Sequence, residues 1–149
     1  MMTIGDYLSP RGVVFLQDSD RTAVTRELIE RAAATERLPD PEVFSQAIFD
    51  RESLLSTAVG RGVAVPHAKI AGIPQFFVVI GISSTPVEWD APDREPVNLV
   101  FLIGGPADEQ TRYLQILAKV MLVVKNDELR DRLREAPSPE AAIDVFSGM

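Results

Sequence analysis

The sequence predicts a layered α/β domain, a central sheet covered by helices on both faces. Three observations carry this. Residues 76–82, Phe-Phe-Val-Val-Ile-Gly-Ile, and 97–103, Val-Asn-Leu-Val-Phe-Leu-Ile, are apolar almost without interruption, as expected of strands buried on both sides. Segments with helical periodicity lie before and after them. The 149 residues are 46% hydrophobic and 25% charged, a composition that supports a buried core and is far from that of a disordered chain. A single domain over residues 1–149 is expected, with no repeat or linker inside it.

The elements follow in order. Val13 to Leu16 form a short β-type run after Pro10 and Gly12. Asp18 to Asp20 supply caps for a helix reaching about Arg37, whose apolar positions Val24, Leu28, Ile29, Ala32 and Ala33 recur at helical spacing. Asp40-Pro41-Glu42 opens a second helix, with the cap before the proline, and this helix is expected to end near Asp50. Gly60-Arg61-Gly62 punctuates the chain, and Val63-Ala64-Val65 is a strand-like triplet stopped by Pro66. The second apolar run is expected to stop at Gly104-Gly105-Pro106, and Pro86 to Pro96 reads as a connection. From Asp108 to Val124 a helix with one narrow polar stripe (Asp108, Arg112, Gln115, Lys119) is expected to be largely buried. Asn126 and Ser138 cap two further helices. Strand order is not readable at this level.

Composition excludes several chemistries. The chain has no cysteine and one histidine, which removes disulfides, thiolate sites, cysteine nucleophiles and multi-histidine metal centres. A formal charge of −7 argues against general binding of nucleic acid or anionic membranes. The longest apolar runs are far shorter than the roughly 20 residues a membrane helix needs. The N-terminal residues lack a basic region followed by an apolar core, so a cytoplasmic location is expected. No Gly-x-x-x-x-Gly-Lys-Ser/Thr, Gly-x-Gly-x-x-Gly or Gly-x-Ser-x-Gly pattern is present. Asp90, Asp93 and Glu95 match no calcium-loop spacing, and no metal or cofactor is expected. Trp89, between Pro86 and Pro92, reads as a side chain pinning a loop over the sheet.

His67 is the candidate for chemistry. It follows Pro66 directly after a strand triplet, and ligands in α/β proteins gather outside the carboxyl ends of strands. Its imidazole is partly neutral near pH 7, and a neutral ring nitrogen is a usable nucleophile. The competing reading is a loop histidine without a chemical task. Arg51, at the expected end of the second helix, offers a donor fork for phosphate oxygens, or is a solvated charge favoured by the helix dipole. Glu52 either orients Arg51 or pairs elsewhere on the surface. Ser56 and Thr57 suit turn duty better than phosphate contact.

The stretch Arg51-Glu52-Ser53-Leu54, Ser56-Thr57 and Gly60-Arg61-Gly62-Val63-Ala64-Val65-Pro66-His67-Ala68 resembles the active-site signature of enzyme IIA domains of the bacterial phosphoenolpyruvate-dependent sugar phosphotransferase system. The subclass is the fructose/mannitol type, which includes stand-alone nitrogen-regulatory IIA proteins. Agreement continues at Val87 to Pro92, at Pro96 to Leu102 and through the terminal helices. The resemblance implies a mixed, mostly parallel sheet between helix layers. It also implies that His67 accepts a phosphoryl group from an HPr-like carrier protein, that Arg51 neutralises the phosphoryl oxygens and that Thr57 is a lesser polar contributor. The partner beyond would be a regulatory target or the IIB domain of a sugar permease. A chain this short favours a stand-alone regulator over a sugar-transport subunit or a binding module with little phosphotransfer. Tyr113 stands where many members carry a second histidine, and it cannot supply a cation at neutral pH. Arg61, where asparagine is frequent, is expected to add positive charge near the site in compensation.

Overall fold

The computed structural model describes residues 2–36 and 38–149. Two short 3-10 turns, Ile4–Tyr7 and Pro10–Gly12, lead into β1 (Val13–Leu16). Then come α1 (Arg21–Thr35), α2 (Pro41–Leu54), β2 (Ala58–Gly60), β3 (Val63–Ala64), β4 (His67–Lys69), β5 (Phe77–Val87) and β6 (Val97–Gly105). Three helices close the chain: α3 (Gln110–Val124), α4 (Asp127–Arg134) and α5 (Pro139–Asp144). The expected caps form. Asp20, Asp40, Asn126 and Ser138 each accept a hydrogen bond from a backbone N–H in the first turn of their helix.

The sheet runs β1-β5-β6-β3-β2, with β4 also paired to β6. Pairings β1/β5, β3/β6 and β4/β6 are parallel, and β5/β6 and β2/β3 are antiparallel, so the sheet is mixed and mostly parallel. Alternate residues of β5 and β6 feed two cores. Val78, Ile80, Leu99, Phe101 and Ile103 face α3, α4 and α5, whereas Phe77, Val79, Val100 and Leu102 face α1 and α2. This is why both runs are apolar at nearly every position, and it makes the domain three layers thick.

Several boundaries differ from the sequence expectation, each for a physical reason. Helix α2 continues past Asp50 to Leu54, because residues 51–54 contain no breaker and the Arg51 carbonyl still accepts from Leu55 N–H. Arg51 and Glu52 therefore belong to its last turn. Helix α1 ends at Thr35, and Arg37, where the sequence placed its end, lies outside the described residues. Strand β6 runs through Gly104 and Gly105 instead of stopping there. A Cβ on Gly104 would lie 2.4 Å from the Phe77 ring, and one on Gly105 2.0 Å from the Phe76 ring, so the glycines admit the aromatic side chains against the strand. Strand β5 extends to Val87, into the expected connection, with an irregular register between Ile82 and Val87. Helix α3 is less buried than its composition suggests, since Leu114 and Leu122 are about half exposed.

Two features frame the site. Strands β2 and β3 form a hairpin around Gly60-Arg61-Gly62, all three at positive φ, a conformation that glycine adopts at little cost. Trp89 is fully buried in the core beneath α1 and α2. Its carbonyl accepts from the Ser56 hydroxyl at 2.8 Å, tying the loop before β6 to the segment after α2. Truncating a buried tryptophan costs about 3–5 kcal/mol, so Trp89→Ala lowers the melting temperature by about 10 °C in a scanning-calorimetry comparison with wild type. An unchanged transition would contradict the packing role.

Candidate functional site

The chain crosses β6 twice, as β3 and then as β4, with Val65-Pro66 between. Val65 N–H leaves the sheet line to bond the Thr57 carbonyl, and the Pro66 carbonyl accepts from Ile103 N–H, both at 3.0 Å. Proline has no N–H to continue a ladder, so the two short pairings stay separate and His67 begins the second. His67 is half-buried there, with Nδ1 at 2.9 Å from the Val65 carbonyl oxygen. A carbonyl only accepts, so Nδ1 carries the proton and Nε2 is left with its lone pair free.

His67 opens into a cleft of about 460 Å³. Arg51, Ser56, Thr57 and Tyr113 line it together with apolar residues that include Leu54, Leu55, Val59 and Leu117. Leu54 and Leu55 are 86% and 77% exposed, an apolar rim beside a polar centre. The Tyr113 ring lies beside the imidazole, centroids 5.2 Å apart and planes tilted by 30°. Burial pushes the His67 pKa below the usual imidazole value, with Arg51 and Lys69 adding to the shift, while the Val65 hydrogen bond and Glu52 oppose it. The ring is therefore held neutral. Burial raises the Tyr113 hydroxyl pKa, so the phenol keeps its proton at neutral pH.

The residues singled out from sequence separate into three groups. Arg51, Thr57 and Tyr113 share the cleft with His67. Among the described residues the Arg51 guanidinium has no ion-pair partner, which leaves its donor fork available to an anion. Glu52 stands behind them. Its carboxylate accepts from the Thr57 hydroxyl and, at 3.4 Å, from Thr57 N–H, so it orients Thr57 and not Arg51. Ser56 performs turn duty, donating to the Trp89 carbonyl and accepting from Ala58 N–H.

Arg61 corrects the expectation of a compensating charge at the site. Its guanidinium reaches the Lys125 carbonyl at the C-terminal end of α3, and its N–H donates to Asp93 at 2.8 Å. A helix C-terminus attracts a cation, and the hairpin turn points Arg61 towards it and away from the cleft. These bonds to the Arg61 and Glu95 amides hold the Asp93 carboxyl below its ordinary pKa. Among the described residues no cluster of three or more His, Asp or Glu side chains is arranged to hold a metal ion.

One residue escaped the sequence reading. Lys69 is half-buried, and its Nζ lies 5.0 Å from the centroid of the Tyr113 ring. The usable signal was strand alternation, which puts His67 and Lys69 on the same face, but a triplet so short does not announce itself as a strand.

Comparison with known proteins shows the family to which the chain belongs. The family model described as phosphoenolpyruvate-dependent sugar phosphotransferase system, EIIA 2, matches residues 7–149. A nitrogen regulatory protein of Bradyrhizobium diazoefficiens is 28% identical over 98% of this chain and 95% of its own. A fructose-specific EIIABC component of Bacillus subtilis is 30% identical over 89% of this chain, which spans only 21% of that longer protein. The crystal structure of nitrogen regulatory protein IIA-Ntr from Neisseria meningitidis superposes with a TM-score of 0.89 at 27% identity, covering 97% of this chain and 99% of the other. From the α/β sandwich, the signature around His67 and the match along nearly its whole length, the chain belongs to the EIIA type 2 family of phosphotransferase-system domains and is related to its nitrogen-regulatory proteins.

Proposed function

We propose that this protein is a phosphohistidine relay component of the cytoplasm, which accepts a phosphoryl group on His67 from an HPr-like carrier and signals to a regulatory target through its phosphorylation state. The observation that supports this most directly is the fixed tautomer of His67: Nδ1–H is engaged by Val65, and Nε2 is free at the mouth of a cleft that also holds Arg51. In this reading the Nε2 lone pair forms the new P–N bond. The bond to the donor imidazole breaks, and its electron pair returns to the donor nitrogen. Nδ1 keeps its proton, and the Val65 carbonyl stabilises the positive charge that the ring acquires. Such transfers depend mainly on alignment and on neutralising phosphoryl oxygens. The Arg51 guanidinium performs the second task, and Thr57, oriented by Glu52, offers a further polar contact. The apolar rim of Leu54 and Leu55 gives a carrier protein a surface to sit on.

A second reading, a fructose/mannitol-type sugar-transport subunit that passes the phosphoryl group to a IIB domain, draws on the likeness to the fructose-specific relative. Incubating the phosphorylated protein with fructose- and mannitol-type IIB domains separates the two readings. The regulatory reading expects retention of the phosphoryl group, and the transport reading expects its loss.

Three outcomes test the reading. Incubation with enzyme I, an HPr-type carrier and phosphoenolpyruvate adds about 80 Da by intact mass, and His67→Ala abolishes the gain without changing the circular dichroism spectrum. A His67→Ala protein that still gains mass would overturn the assignment. Arg51→Ala slows transfer about 10- to 150-fold at saturating carrier, because a charge-assisted hydrogen bond is worth about 1.5–3 kcal/mol. Arg51→Lys recovers part of this rate, whereas Arg61→Ala stays within about twofold of wild type because its side chain lies outside the cleft. The acceptance rate in quenched-flow measurements falls as pH is lowered, with its midpoint below the ordinary imidazole value, since burial and the nearby cations depress the His67 pKa and keep Nε2 unprotonated at neutral pH. A decline already complete at pH 7 would contradict it.

A further inference from the structure

Strand β4 points His67 and Lys69 to one face and Ala68 to the other, into the core shared with α1 and α2. On the first face the Tyr113 ring of α3 touches both neighbours. Its centroid lies 5.2 Å from that of the imidazole and 5.0 Å from Lys69 Nζ. Lys69 is half-buried, and among the described residues its ammonium forms neither an ion pair nor a hydrogen bond. A half-buried lysine whose ammonium has no counter-anion among the described residues, two positions from the phosphoacceptor on the same strand face, is poised for an incoming anion. Its like-charge effect on His67 agrees with this proximity.

We propose that Lys69 is a second phosphoryl-binding cation of this site, held ready on the Tyr113 ring and moving onto the phosphoryl oxygens when the group arrives at Nε2. This rests on the phosphoacceptor reading of His67 and goes beyond it. A phosphoryl dianion outweighs the single charge of Arg51, and Lys69 supplies the remaining one. Tyr113 then acts as a positioning residue through its ring face and needs no charge of its own. The ammonium forms no covalent bond. It keeps its three protons, while the P–N bond to the donor histidine breaks and the bond to Nε2 forms.

The test compares wild type, Lys69→Met, Lys69→Arg and the charge control Lys125→Met, which removes an exposed lysine at the far end of α3. His67 is loaded with potassium phosphoramidate, which needs no carrier, and the phosphoryl group is titrated by ³¹P NMR. A nearby ammonium favours the dianion, so Lys69→Met raises the phosphoryl pKa by about one unit, while Lys69→Arg and Lys125→Met leave it near wild type. In transfer from phosphorylated carrier, Lys69→Met lowers the saturating rate about 10- to 100-fold and changes half-saturation by less than about threefold. Lys69→Arg recovers most of that rate. A Lys69→Met protein with wild-type ³¹P titration and a saturating rate within twofold of wild type would overturn the proposal and leave Lys69 as packing for Tyr113. If the ³¹P shift appears but no variant, wild type included, accepts phosphate from a carrier, the relay reading fails and the cation site stands.

Discussion

The double attachment of residues 63–69 to strand β6 is the constraint on which the rest of the site depends. Val63 and Ala64 pair with Leu99 and Val100, and His67 to Lys69 pair with Ile103 to Gly105, all in parallel. Between them Pro66 interrupts the ladder but still offers its carbonyl to Ile103 N–H. The backbone on either side of His67 is thus anchored to a strand that is buried along nearly its whole length. The Val65 carbonyl lies where it accepts a hydrogen bond from Nδ1–H. Tautomer, ring direction and depth all follow from this single stretch of pairing.

Strand β6 can serve as that anchor because it is packed from both sides. Its alternating side chains enter two separate cores, one beneath α1 and α2 and one beneath α3, α4 and α5. Gly104 and Gly105 extend it far enough to reach β4, and they do so by yielding their side-chain space to Phe77 and Phe76. Helix α3, which brings Tyr113 to His67, rests on one core. Helix α2, which brings Arg51, rests on the other. The cleft is the place where the two helix layers meet over the end of the sheet, and a site built across layers is held by the whole packing of the domain.

Electrostatically the site is a small cationic island on a chain of net charge −7. Arg51 and Lys69 both depress the His67 pKa, and burial does so more strongly. All three favour a neutral nucleophile, and the two cations in addition favour an anion beside it, whereas burial alone does not. Glu52 opposes that field in part, while its carboxylate is committed to the Thr57 hydroxyl and amide.

Much of this was legible in the sequence, and the division follows from the range of the interactions. The helix caps, the two doubly buried strands and the segment from Arg51 to Ala68 are local patterns, set by capping chemistry, periodicity and residue order within a few positions. His67 and Arg51 could be named from that segment. The hairpin of β2 with β3 and β4 itself were not legible as elements, because β2 exists only through pairing with β3 and β4 only through pairing with β6, and such short strands carry no periodicity of their own. Arg61 shows the limit most plainly: four residues after Thr57, it is carried out of the cleft by a turn at positive φ and held by a carbonyl 64 residues away. Lys69 shows the converse, a residue without a motif that strand alternation and the Tyr113 ring bring beside His67. The sequence by itself determined which residues have the chemistry of a candidate site, one histidine after a proline and an arginine at a helix end. Only the tertiary structure decided which cations lie near His67, since a long charged side chain goes where distant backbone carbonyls and rings offer it a partner.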